Sequence, residues 1–162
     1  FAADGLRRIT LAVDSGAPGR LFAGVTARTR GGLYRSDDAG ESWTRVHGPF
    51  ADAAADISVT VDPRDADVVY AVSSRRIWRS IDGGRSFAMD WPGAASIAPT
   101  FVWIDPGHPR VMVAAGARGA RVTINGGETW GDAAPPAAGL SAIMADTASP
   151  YRVCGVTADA ET

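Results

Sequence analysis

Apolar and polar residues follow one another in short runs, each closed by a cluster of Gly, Pro, Asp or Asn. That rhythm predicts short strands joined by turns, and no stretch carries a helical period. First strands are expected over 9–14, 57–62, 101–105 and 140–146, and each ends on an aspartate. Second strands are expected over 21–26, 68–72, 111–115 and 151–156, third strands over 32–35, 76–79 and 120–122, and fourth strands over 43–47, 87–91 and 130–133. Runs 68–72 and 111–115 are apolar at consecutive positions, which suits a sheet covered on both faces.

The sets of four are tied to a repeated octet. Ser36-Asp37-Asp38-Ala39-Gly40-Glu41-Ser42-Trp43 returns as Ser80-Ile81-Asp82-Gly83-Gly84-Arg85-Ser86-Phe87 and as Thr123-Ile124-Asn125-Gly126-Gly127-Glu128-Thr129-Trp130. Asp38, Asp82 and Asn125 stand 44 and 43 residues apart, the spacing of a repeat architecture. Asp or Asn beside Gly between strand-forming runs predicts a tight hairpin. The side-chain oxygen accepts from backbone N–H groups of its own turn and glycine takes the positive φ. The closing Trp43, Phe87 or Trp130 is expected to cover the hairpin.

Ser36, Asp38, Gly40 and Trp43, then Ser80, Asp82, Gly84 and Phe87, then Thr123, Asn125, Gly127 and Trp130 form a pattern that resembles the Asp-box, or bacterial neuraminidase repeat. Asn125 departs from it without losing the turn bond. The resemblance implies an all-β fold, a β-propeller segment of four-stranded antiparallel blades. Repeats are expected at about 6–48, 56–92 and 99–133 with a partial one at 139–162, about three and a half blades of an incomplete ring within a single domain. It is similar to sialidases, xyloglucan-active glycoside hydrolases, sortilin-like receptors and the photosystem II assembly factor. In those families the box is a structural clasp, so the resemblance specifies fold rather than activity. It also implies a secreted or periplasmic setting.

Composition changes this picture little. The 162 residues are 46% hydrophobic, enough for a sizeable core. A net charge of −2 gives no pull toward nucleic acid. Every basic residue is an arginine, which a GC-rich coding genome explains. The lone Cys154 reads as a strand residue and rules out an intramolecular disulfide. No window is long and apolar enough to span a membrane. Neither His47 nor His108 has a second metal ligand at useful spacing, no dense oxygen cluster suggests calcium, and no cofactor motif is present.

In a four-strand meander the loops from first to second and third to fourth strands share one face, and the other two kinds share the opposite face. The aspartates 14, 62, 105 and 146 are read as turn caps on the box face. The opposite face collects Arg28 and Arg30, Arg75 and Arg76, and Arg118, whose guanidinium forks suit carboxylate, phosphate or sulfate. The competing reading is that these are simply exposed loops. The links from fourth to first strands add Phe50, Asp52, Asp56, Asp90, Trp91 and Asp132, and Trp91 is either a surface for stacking a sugar ring or a blade-packing aromatic.

Catalytic residues are not found. The segment from Ala27 to Arg35 resembles the stretch of xyloglucan-active hydrolases that carries a catalytic Asp, but Arg30 stands at that place. Of the sialidase set, only the arginines have counterparts. The first functional reading is therefore a non-catalytic binding or scaffold propeller whose partner is a protein or glycan, with anionic groups the natural match, together with the remaining blades of its ring. The alternative is a fragment of a secreted glycoside hydrolase whose carboxylates lie outside this segment.

Overall fold

A computed structural model describes residues 5–14, 16–50, 56–91, 95–133, 140–145 and 153–157. They form three antiparallel sheets of four strands, each in simple meander order, and a two-stranded fourth sheet. The first holds β1 (Leu6–Val13), β2 (Leu21–Ala27), β3 (Gly32–Ser36) and β4 (Thr44–Arg45). The second holds β5 (Ser58–Val61), β6 (Val69–Ser73), β7 (Arg76–Ser80) and β8 (Ala88–Asp90). The third holds β9 (Pro99–Ile104), β10 (Met112–Gly116), β11 (Gly119–Thr123) and β12 (Gly131–Asp132), preceded by a 3-10 turn at Ala95–Ile97. β13 (Leu140–Ala145) and β14 (Val153–Thr157) make the last pair. Residues 134–139, 146–152 and 158–162, including Asp146 and most of the partial repeat, lie outside the described residues, as does Asp52.

The sheets are blades stacked face to face, and the core lies between them. Phe22, Leu33, Val46 and Phe50 of the first repeat meet Ile57, Val59, Val69 and Ala71 of the second. Tyr70, Val72, Ile77 and Trp91 of the second meet Val102, Ile104, Met112 and Ala114 of the third. Second strands are buried along their length, as their consecutive apolar positions require. The first strands approach closely enough to bond between blades. Thr10 Oγ1 donates to the Ile57 carbonyl at 2.6 Å, and Thr60 Oγ1 to that of Val102 at 2.8 Å. Gly24 marks the tightest approach, since a Cβ there would lie 2.5 Å from the Ile57 oxygen.

The repeated octets close the hairpins between third and fourth strands. Ser36 Oγ–H donates to Asp38 Oδ1 at 2.7 Å, while the same oxygen accepts from the Gly40 amide at 2.9 Å. Asp38 then accepts from Ser42 twice, from N–H at 2.8 Å and from the hydroxyl at 2.5 Å. Around Asp82 the corresponding distances are 2.7, 2.8, 2.9 and 2.6 Å. In the third copy, Asn125 Oδ1 keeps the acceptor role toward Thr123 and the Thr129 amide, and its Nδ2 donates to Thr129 Oγ1 at 2.9 Å. The amide carries the same geometry with one donor reversed.

A second bond ties each clasp to the turn between first and second strands of its own blade. The amides of Ala39, Gly83 and Gly126 donate to the carbonyls of Gly19, Asp67 and Arg110, all at 2.9 Å. Those three donors have φ of 57°, 68° and 74°, so the first copy holds an alanine where the others use glycine. Arginines then staple neighbouring blades: Arg20 Nη1 donates to the Ala66 carbonyl at 2.8 Å, Arg35 Nη1 to that of Gly83 at 2.8 Å, and Arg64 Nη2 to that of Gly107.

Candidate functional site

Three blades place their turns in the same order, so the two ends of the strands differ systematically. One end carries the clasps and the acidic turns. There Asp14 Oδ1 accepts from the amides of Gly16 and Ala17 at 2.8 and 3.0 Å, Asp62 Oδ1 from Arg64 at 2.9 Å, and Asp105 Oδ1 from Gly107 and His108 at 2.7 and 3.1 Å. Asp14 also receives Arg20 at 3.3 Å. These carboxylates cap their own turns. The clasp carboxylates are engaged as well: the Ser42 hydroxyl and amide, then Ser36, hold Asp38 down at about 2. The Ser86 hydroxyl and amide depress Asp82 in the same way. Acids held in this state do not serve as proton donors near neutrality.

The opposite end carries the loops between second and third strands. Residues 28–31 join β2 to β3, residues 74–75 join β6 to β7, and residues 117–118 join β10 to β11. Arg28 and Arg30, Arg75, and Arg118 are thus equivalent in three consecutive blades, and all are exposed. Arg76 begins β7 and is exposed beside them, whereas Ser73, expected in this loop, ends β6 and is buried. From strand-one aspartate to clasp the first repeat runs 22 residues (Asp14 to Ser36) against 18 in the second (Asp62 to Ser80), and the extra residues lie at this end. β2 has seven residues against five in β6, and its loop has four against two.

Backbone geometry singles out two of these arginines. Arg30 and Arg75 have φ of 59° and 63°, and Ser74 has 52°. A two-residue hairpin loop with both φ positive is the type I′ turn that favours Asn-Gly, yet here it holds Ser-Arg. The loop around Arg30 is fixed by Tyr34 Oη, which donates to the Arg30 carbonyl at 2.6 Å, and by Arg45 Nη2, which donates to that of Gly31 at 2.8 Å.

Two further arginines belong to this end and were not anticipated. Arg7 and Arg8 open β1, where a register shift between Leu6 and Arg8 breaks the alternation by which a strand is read from sequence. Arg8 lies 3.8 Å from Asp56, which also accepts from Thr26 Oγ1 at 3.2 Å.

Trp91 does not belong to the face. Its indole is buried, 5.0 Å from the Tyr70 ring and 5.7 Å from that of Trp130 by centroids. The cause is a bulge: Trp78 pairs with Asp90 and Arg79 with Ala88, so Met89 is an extra residue. Trp91 N–H consequently bonds the Ile77 carbonyl, just as Val46 bonds Leu33 and Ala133 bonds Ala120. The added residue turns the indole toward the third blade, where it fills space beside Gly127. Phe50, expected on the same links, is buried against Phe87 at 4.9 Å, edge to face.

Among the described residues, no group of three or more His, Cys, Asp or Glu is placed to hold a metal ion. No helix among them is long and apolar enough to cross a membrane.

No protein-family model and no curated protein sequence matches the chain. Solved structures do. The GH74 xyloglucanase from Xanthomonas campestris is 20% identical, with a TM-score of 0.66 over 83% of this chain and 24% of its own. YCF48 from Cyanidioschyzon merolae is 19% identical, with a TM-score of 0.57 over 82% of this chain and 38% of its own. YCF48 bound to D1 peptide is 13% identical, with a TM-score of 0.58 over 80% of this chain and 40% of its own. The fold is that of a β-propeller. The chain spans less than half the length of each of these structures.

Proposed function

We propose that the chain is part of a non-catalytic β-propeller that recognises an anionic group of a protein or glycan through the loops bearing Arg28, Arg30, Arg75, Arg76 and Arg118. The observation that carries this reading is the recurrence of exposed arginine in one loop of three consecutive blades, at the strand ends away from the clasps. Left-handed Arg30 and Arg75 add weight, because backbone strain of this kind concentrates at functional positions. A likeness to YCF48 bound to D1 peptide makes a peptide partner reasonable. The same proposal takes the repeated octets as Asp-boxes, residues 1–162 as one propeller segment joined to further blades, and the protein as secreted or periplasmic.

The test is titration of the protein with a polyglutamate peptide at low and physiological salt. Binding that weakens as ionic strength rises is expected of solvent-exposed guanidinium contacts. Absence of binding at low salt to polyglutamate and to a carboxylated glycan would refute the reading.

A second reading rests on the likeness to a GH74 xyloglucanase: a segment of a glycoside hydrolase whose two carboxylates lie outside these residues. Release of reducing ends from xyloglucan by the full protein would establish it, and an inert protein that still binds polyglutamate would exclude it.

A further inference from the structure

One position of the fourth strands changes charge between blades. Arg45 of β4 lies opposite Tyr34, Asp90 of β8 opposite Trp78, and Asp132 of β12 opposite Arg121, so the three hold equivalent places in the meander. In the third blade the acid and the arginine pair at 2.9 Å. The first blade has the charge reversed, with a cation opposite a tyrosine. The Asp132 side chain is 85% exposed although the second blade packs against that face of the third, so this position stays open when its blade has a neighbour.

Arg45 reaches the arginine end of its own blade. Its Nη2 donates to the Gly31 carbonyl at 2.8 Å, and a Cβ on Gly32 would lie 2.9 Å from its Nε, so the guanidinium rests on the backbone that follows Arg30. Tyr34 Oη donates to the neighbouring carbonyl, that of Arg30, at 2.6 Å. Both oxygens are thus covered by donors, which weakens their repulsion of an approaching anion. Arg30 and Arg45 are exposed, and among the described residues neither forms an ion pair with a carboxylate. Two cations held at one loop repel each other, and an anion between them relieves that repulsion.

We propose that Arg30 and Arg45 form a clamp on the first blade for one carboxylate side chain of an acidic peptide, with Tyr34 holding the loop that presents Arg30. This clamp rests on the reading of the arginine loops as an anion site and adds Arg45 to it. Guanidinium forks from a loop and from a strand can each take one oxygen of the carboxylate. A peptide is favoured over an acidic glycan because Trp91 and Phe50, the rings expected to stack on a sugar at this end, are buried. The second and third blades lack the clamp, since aspartates stand at the place of Arg45.

The experiment is calorimetric titration of the protein at low salt with polyglutamate, and separately with polygalacturonate as a carboxylated glycan. Polyglutamate binding should weaken at least about tenfold in Arg45→Ala and in Arg30→Ala, each the loss of one charge-assisted contact. Arg45→Gln keeps a donor for Gly31 without the charge, and it should weaken binding as much. Parent-like affinity in that variant would mean that Arg45 only supports the loop, and overturns the clamp. Arg110→Ala, which removes an exposed charge at the clasp end, should change affinity by less than about twofold. Because one carboxylate is shared, Arg30→Ala/Arg45→Ala should lose less than the product of the two single losses. Losses that simply multiply would assign the arginines to separate groups and overturn the clamp. Tighter binding of polygalacturonate than of polyglutamate overturns the choice of a peptide. If the parent binds neither polymer, the reading of the loops fails and the clamp fails with it. If polyglutamate binding is lost in Arg30→Ala/Arg75→Ala but kept in Arg45→Ala, the loops remain an anion site and the clamp alone is refuted.

Discussion

At position 75 an arginine occupies a conformation that glycine adopts without strain. The αL region costs an L-residue about 1–2 kcal/mol, part of which glycine returns as entropy of the unfolded chain. Arg75→Gly is therefore expected to leave stability equal or to raise it by about 1 kcal/mol, and chemical denaturation measures this. A loss greater than that would mean the arginine supports the fold. The clasp aspartates behave differently. An unfolded carboxylate titrates near about 4, whereas Asp38 is held at about 2 and Asp82 is also depressed. Their contribution is thus complete above about pH 4 and is lost as pH falls through about 2. An Asp38→Asn/Asp82→Asn double variant should lose this acid dependence yet fold, because Asn125 makes the same bonds naturally. Equal acid sensitivity in parent and variant, read by unfolding between pH 5 and about pH 2, would contradict the assignment. The turn chemistry at this scale was legible, since Asp, Asn and Gly report backbone needs directly. Trp91 was not, because the extra residue Met89 has no signature that distinguishes a bulge from a regular strand.

Blade packing decides behaviour at the scale of elements. Strand order and register agree closely with the hydrophobic rhythm, which has the same physical origin: alternate residues face different neighbours. What the rhythm cannot reveal is which clasp touches which blade. A Cβ on Gly127 would lie 2.6 Å from the Trp91 ring, and one on Gly84 would lie 2.4 Å from that of Phe22. These two clasp glycines thus seat an aromatic from the preceding blade, whereas Gly40 meets Leu21 and Trp43 of its own. Trp91→Ala should cost about 3–5 kcal/mol, the range for a buried aromatic. Gly127→Ala should be destabilising in the parent and measurably less so in the Trp91→Ala background, although the strain of φ at 93° persists. Simple additivity in that double-mutant cycle would show that the indole and the clasp do not press on one another. Trp43 and Trp130 are only half-buried, so their truncation should cost less than that of Trp91.

Over the whole molecule, the equivalence of blades gives exposed residues a meaning. Counting back from the aspartates, Leu11 and Val13 of β1 correspond to Val59 and Val61 of β5 and to Val102 and Ile104 of β9. Val59, Val102 and Ile104 are buried against the preceding blade, but Leu11 and Val13 are 68% and 71% exposed. The 162-residue chain studied alone should therefore self-associate through this face. Sedimentation should show Leu11→Lys/Val13→Lys shifted toward monomer, and a parent already monomeric at high concentration would contradict this. The arginine loops could be read from the sequence because blade register follows from the repeat, whereas Arg7 and Arg8 were hidden by the bulge at the start of β1.

Recognition by this propeller segment depends on whether those loops bind anions. The most direct measurement is calorimetric titration of an acidic peptide into the parent, into Arg30→Ala/Arg75→Ala, and into Arg85→Ala/Arg110→Ala, two exposed arginines at the clasp end, as a charge-matched comparison. Loss of two charge-assisted contacts should weaken binding by about 2–3 kcal/mol in the Arg30 and Arg75 variant. The comparison variant should stay close to the parent. Equal affinity in all three proteins, or an equal loss in the two variants, would contradict recognition through the arginine loops.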